Sequence, residues 1–201
     1  MIVALVGMPG CGKSTVGRQL ARHLGTDFVD TDTELERRLG MPVRSFFEAH
    51  GEEAFRREEE AVVEEVTRLP AGVVATGGGA VLRPANREAL RARTRTFYLR
   101  ATPEELFRRL RHDTRRPLLQ VADPQARLRQ LYRERDPLYR RVAHFVIDAP
   151  RPSVAAMLSM ILAQLELSGL VDPHLVPSPL DAASEQPVPP AGPGTSPASG
   201  G

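Results

Sequence analysis

Lysine is almost missing from this chain. Lys13 is the only lysine among 27 Lys and Arg residues, so a pressure that removed lysine everywhere else left one in a glycine-rich loop. Cysteine is nearly as scarce. A single Cys11 excludes any internal disulfide and suits a reducing compartment. Charge of one sign does not accumulate: the formal net charge is +2, too little for a dedicated nucleic-acid binder. Long apolar runs are absent as well. The longest apolar stretch, Ser153 to Leu167, falls short of the roughly 20 residues that a membrane-spanning helix needs. Met1 to Val6 is apolar but has no charged segment before it and no small-residue cleavage site after it, so it reads as a strand rather than a leader. These absences lead to the expectation of a soluble cytoplasmic protein without a membrane or nucleic-acid partner. The 201 residues, 41% of them hydrophobic, suit one globular domain with a tail.

Apolar strand patterns alternate with helical ones. Strands are predicted at Met1–Val6, Phe28–Asp30, Val73–Thr76, Thr96–Leu99 and Phe145–Asp148. Helices are predicted at Lys13–Leu24, Thr33–Leu39, Val43–His50, Glu52–Leu69, Asn86–Ala92, from Thr102 as N-cap to about Leu110, Pro124–Val142 and Ser153–Leu167. Such alternation implies a parallel sheet covered on both faces, a three-layer α/β/α domain over residues 1–170. Residues 171–201 are rich in proline, alanine, serine and glycine, with no arginine and no Phe, Tyr or Trp. They read as a disordered tail, because they offer too little apolar surface to offset the entropy of ordering.

The chemistry begins at Gly7. Gly7-Met8-Pro9-Gly10-Cys11-Gly12-Lys13-Ser14 fits G-x-x-x-x-G-K-[ST], with an apolar strand before it and a helix after it. In such a P-loop the glycines let backbone N–H groups turn inward onto phosphate oxygens. Lys13 reaches the β- and γ-phosphates, and the Ser14 hydroxyl faces Mg²⁺. Cys11, at an unconstrained position of the motif, reads as a packed thiol. A guanine-reading N-K-x-D motif is impossible without a second lysine. Asp148 comes too late in the chain for a metal-binding strand end, which leaves Asp30 and Asp32 as the acidic groups nearest the phosphates.

The acceptor side is open to two interpretations at each point. Asp30-Thr31-Asp32 lies at the carboxyl end of a strand, where open α/β sheets bind ligands. One carboxylate can hold Mg²⁺ through water and the other an acceptor hydroxyl, or Asp32 merely caps a helix starting at Thr33. Arg56 is one turn from Glu59 and Glu60, the spacing of a surface ion pair. Gly77-Gly78-Gly79 is either an anion-facing turn or a flexible connection. The run Arg108 to Arg116 is either an arginine-bearing lid or a solvated basic face, and Arg135 has the same surface alternative.

Six elements in order resemble the shikimate kinase family: G-x-P-G-x-G-K-S-T at Gly7–Thr15, D-T-D at Asp30–Asp32, F-R-x-x-E at Phe55–Glu59, G-G-G-A at Gly77–Ala80, R-P-L-L at Arg116–Leu119 and R-x-P-L-Y at Arg135–Tyr139. The resemblance runs from Met1 to about Leu167. It implies a nucleoside-monophosphate-kinase-like P-loop fold with strand order 2-3-1-4-5, a substrate-binding subdomain at about 33–62 and a lid at about 112–123. It also implies ATP-dependent phosphorylation of the shikimate 3-hydroxyl, with Mg²⁺; the expected oligomeric state is a monomer. By that resemblance Gly10, Cys11, Gly12, Lys13, Ser14, Thr15, Arg109, Arg116 and Arg151 bind ATP. Asp32, Arg56, Gly78, Gly79 and Arg135 hold shikimate, and Ser14, with Asp30 through water, holds the metal. Lys13, Asp32 and Arg116 are the catalytic set, although Arg115 competes with Arg116 for the phosphate-facing place. The alternatives are a kinase for another small acid such as gluconate, or a non-catalytic ATP-binding module.

Overall fold

A computed structural model describes residues 1–110, 121–148 and 153–171. Arg115, Arg116 and Arg151, most of the expected lid and the tail after Val171 lie outside the described residues. β1 (Ile2–Val6) is five apolar side chains in succession, every one buried. A strand with no polar face has to be covered on both sides, and β1 takes the centre of a five-stranded parallel sheet. The order is β2-β3-β1-β4-β5, with β2 (Phe28–Asp30), β3 (Gly72–Ala75), β4 (Thr94–Leu99) and β5 (Phe145–Ile147). Both the order and the fold class expected from sequence are found. The register sets Asp30 of β2 and Leu5 of β1 on either side of Ala75 in β3. The chain therefore leaves these three strands side by side, at one end of the sheet.

The helices are α1 (Lys13–His23), α2 (Thr31–Leu39), α3 (Val43–Val66), α4 (Pro84–Arg93), α5 (Pro103–Leu110), α6 (Pro124–Val142) and α7 (Val154–Leu167). They bury both faces of the sheet: a larger cluster takes in consecutive residues of β1 and β4, from both faces, and a smaller one lies on one side. Val73 belongs to the larger cluster with Val3, Leu20, Phe97, Leu131 and Ile161. Its neighbour Val74 belongs to the smaller one with Ile2, Leu35, Phe55 and Val62, under α2 and α3. That alternation is what a strand with two covered faces requires. Leu170 and Val171 still pack against the larger cluster, so the folded part reaches one residue further than the expected tail boundary.

Local rules account for most boundaries. Thr102 and Glu105 form a capping box at α5: Glu105 N–H donates to Thr102 Oγ1 at 3.3 Å, and Thr102 N–H donates to Glu105 Oε2 at 2.9 Å. The two helices expected on either side of Gly51 are found within α3: Gly51, at φ 81° and ψ 171°, is not helical and breaks the run with a kink. One correction matters for function. α2 begins at Thr31 and not at Thr33, and its cap is Asp30, whose Oδ1 accepts from Asp32 N–H at 3.1 Å. Asp32 therefore sits in the first turn and is not the cap. β3 ends at Ala75, so Thr76 belongs to the loop that follows it.

Candidate active site

The P-loop leaves β1 at Gly7 and enters α1 through Gly12. Gly12 is the N-cap in the left-handed conformation at φ 101°, with no side-chain cap and no acidic residue in the first turn. The opening N–H groups of α1 are thus left for an anion, and the helix dipole favours one. Lys13 Nζ donates to the Gly7 carbonyl at 2.8 Å and the Met8 carbonyl at 3.0 Å, which holds the ammonium over the loop. Cys11 is buried at 1% exposure, the packed thiol expected from sequence. Asp148 pairs with Arg100 at 2.6 Å, as a strand-end residue far from the loop in sequence.

Ser14 Oγ donates to Asp30 Oδ2 at 2.5 Å. The Asp30 carboxylate therefore caps α2 with one oxygen and fixes the P-loop serine with the other. A cavity of about 450 Å³ is lined by Pro9, Gly10, Gly12, Lys13, Ser14, Thr15, Asp30, Asp32, Thr76, Gly78, Arg109 and Leu110. It brings together the expected phosphate-binding residues, both aspartates and one of the acceptor-side glycines. Burial, and next the Asp30 carboxylate, raise the Asp32 carboxyl above its ordinary range, while Lys13 pulls it back. Asp32 remains open to solvent on its cavity side, and a carboxyl with a raised pKa is a better proton acceptor than an unperturbed one.

Arg56 is not a surface residue. Its Nη1 donates to Glu59 Oε2 at 2.6 Å, with the two side chains 11% and 1% exposed. Burial pushes the Glu59 carboxyl up, against the pull of Arg56; Asp32 and Arg135 also act on it electrostatically. Glu59 is thus the common neighbour of three residues that sequence assigned to the acceptor. The three glycines are there for close approach. A Cβ on Gly77 would meet Asp32 Oδ1 at 2.7 Å, and one on Gly79 would meet the Arg56 guanidinium at 2.5 Å. Gly77 N–H donates to the buried Thr31 hydroxyl at 2.9 Å, which ties this turn to α2. The turn is a fixed seat between Asp32 and Arg56, not a flexible connection. Arg135 is half-buried, and its Nε has no hydrogen-bond partner among the described residues.

The family model for shikimate kinase matches residues 9–166. The chain belongs to the shikimate kinase family. It is 55% identical over 174 residues to the shikimate kinase of Paracidovorax citrulli, covering 85% of this chain and 95% of the relative. It is 51% identical over 184 residues to that of Ralstonia nicotianae, covering 92% and 97%. Among solved structures it is similar to a shikimate kinase from Acinetobacter baumannii in complex with shikimate. That likeness has a TM-score of 0.79 and 44% identity, and covers 85% of this chain and 95% of the other.

Two residues of this shikimate kinase family site carried no assigned role in the sequence reading. Glu59 stands in the acidic run Glu58-Glu59-Glu60 and looks like surface charge; its spacing from Arg56 and its place at the end of the F-R-x-x-E element marked it without giving it a role. Tyr139 closes the R-x-P-L-Y element and is fully buried.

Proposed function

We propose that this shikimate kinase family member transfers the γ-phosphoryl group of ATP to the 3-hydroxyl of shikimate, in chorismate and aromatic amino-acid biosynthesis. A bond forms between the 3-oxygen and the γ-phosphorus as the bond from that phosphorus to the ADP oxygen breaks. The products are shikimate 3-phosphate and ADP. The observation that carries this reading is the single cavity shared by Lys13, Ser14, Asp30 and Asp32, which joins a phosphate loop to a solvent-accessible carboxylate able to receive a hydroxyl. Backbone N–H groups of Gly10, Cys11, Gly12, Lys13, Ser14 and Thr15 cradle the phosphates, and Lys13 turns from loop carbonyls to phosphate oxygens. Arg109 and Arg151 line the adenine.

Ser14 and Asp30 suit Mg²⁺. Both offer hard oxygen donors, and Mg²⁺ keeps several waters and takes one or two protein oxygens beside the phosphates. Ser14 Oγ, by donating its proton to Asp30, leaves its lone pairs free for a cation. Bound with ATP, the ion would neutralise charge on the β- and γ-phosphates.

Asp32 orients the 3-hydroxyl and takes its proton. Arg56 and Arg135 hold the shikimate carboxylate, with help from the Gly78 and Gly79 backbone. Two guanidiniums meet the flat geometry of a carboxylate better than two ammonium groups would. Arg56→Ala and Arg135→Ala are each expected to raise the shikimate KM with little effect on that for ATP, at a cost of about 2–5 kcal/mol. Wild-type shikimate kinetics in both variants would return these arginines to a structural role. Arg116→Ala should act differently, lowering kcat more than it weakens shikimate binding, because its charge serves the phosphoryl group in transfer. An effect confined to shikimate KM would remove Arg116 from the ATP side.

A coupled ADP-release assay against shikimate, gluconate and nucleoside monophosphates tests the substrate assignment; release with gluconate and not with shikimate would reverse it. The same reading has a cytoplasmic monomer without nucleic-acid or membrane partners. Among the described residues no helix is long and apolar enough to cross a membrane. Sedimentation at 22.1 kDa checks the monomer, and a dimer mass would correct it.

A further inference from the structure

Tyr139 joins three parts of the site that no covalent path brings close. Its hydroxyl donates to the Gly78 carbonyl at 2.6 Å, across 61 positions of sequence. The same hydroxyl touches Met8 of the P-loop, with Sδ at 4.0 Å. Burial pushes its pKa up, and the nearby charge of Arg135, four residues back on α6, is the largest opposing influence. The ring packs on Tyr98 with centroids 5.0 Å apart, and the Tyr98 hydroxyl donates to Asp136 Oδ1 at 2.8 Å. The ring is therefore held from below by β4, and only its hydroxyl reaches the glycine turn.

The Gly78 carbonyl and the Gly79 N–H belong to one trans peptide plane and point in opposite directions. Whatever pins the carbonyl aims that N–H. Neither the Gly78 nor the Gly79 N–H has an acceptor among the described residues, and both lie where a Cβ would strike Pro9 or Arg56. A glycine turn of this kind has no side chain to fix its own orientation. We propose that Tyr139 is a positioning residue for the acceptor: its hydroxyl pins the Gly78–Gly79 peptide so that the Gly79 N–H and the Arg135 guanidinium present a preformed seat for the shikimate carboxylate. This rests on the assignment of that carboxylate to Gly79 and Arg135.

Tyr139→Phe keeps the ring and its packing and removes only the hydroxyl. It should raise the shikimate KM about five- to tenfold, the scale of one well-placed hydrogen bond, with the ATP KM within about twofold. Tyr98→Phe is the control, since it removes a buried tyrosine hydroxyl of the same stack. It should lower Tm and leave the shikimate KM within about twofold. An unchanged shikimate KM in Tyr139→Phe overturns the inference. So does an equal rise in both substrates' KM with a fall in Tm matching that of Tyr98→Phe, the mark of a strut. Arg135→Ala separates the two levels of failure. If it raises the shikimate KM while Tyr139→Phe does not, only the role of Tyr139 is lost; if neither does, the carboxylate assignment itself is wrong.

Discussion

Lys13→Ala is expected to lower kcat by about 10³-fold or more while the protein stays folded. Lys13 is the only lysine in the chain, so no neighbouring ammonium can take over. The residue is 8% exposed, and its ammonium is held on the Gly7 and Met8 carbonyls beside the cavity shared with Asp30 and Asp32. A charge in so dry a place acts on transferring phosphate far more strongly than it would in water. Removing one neutral donor from such a site already costs about 10²–10³, and the loss here is a full charge. Folding should depend little on it, because the sheet and both clusters are built without Lys13. Turnover by coupled assay and thermal melting by circular dichroism check both halves. Normal turnover in a folded variant would end the P-loop account.

Asp32→Asn is expected to lower kcat/KM for shikimate by at least about 10²-fold, the lower end of general-base assistance. Phosphoryl transfer has a loose transition state, so lost positioning of the hydroxyl adds to lost proton acceptance. ATP affinity should change little. Because Asp30 and not Asp32 caps α2, the substitution removes no cap. Stability should even gain. The Asp32 carboxyl is raised by burial and then by Asp30, so the folded state holds its proton more tightly than the unfolded state. The stability from this group is fully present below the ordinary carboxylate pKa and is lost as pH rises through the raised value. At neutral pH the ionised carboxylate is therefore a cost, and asparagine removes it. A rise in Tm at pH 7 that fades toward pH 4 is expected. Full shikimate activity in this variant would leave Asp30 as the only working carboxylate of the pair.

The fold was largely legible, because its signals are local. Five uninterrupted apolar residues in β1, the glycines that open α1, and the capping pair Thr102–Glu105 each fix their own stretch of chain. The P-loop was legible for the same reason: its spacing is a backbone shape. What sequence concealed is whatever depends on burial. Arg56 and Glu59 have the spacing of a common surface pair, and nothing in the string Arg56-Arg57-Glu58-Glu59-Glu60 says which members turn inward. The start of α2 was misplaced because Asp30 and Asp32 are equally good caps, and only the Asp32 N–H donated to Asp30 Oδ1 shows which carboxylate turned back to the helix. Tyr139 could not be read from its surroundings, since its partner Gly78 lies 61 residues away.

The central claim is that this cavity transfers phosphate to one hydroxyl of one small acid. The most direct measurement is a single incubation of the purified protein with ATP, Mg²⁺ and shikimate, followed by phosphorus and proton NMR of the product. The account predicts one new phosphate monoester whose phosphorus couples to the proton on carbon 3, formed in step with ADP and at least about 10²-fold more slowly by Asp32→Asn. ADP released without a phosphorylated shikimate, or a phosphate on another carbon, would contradict it.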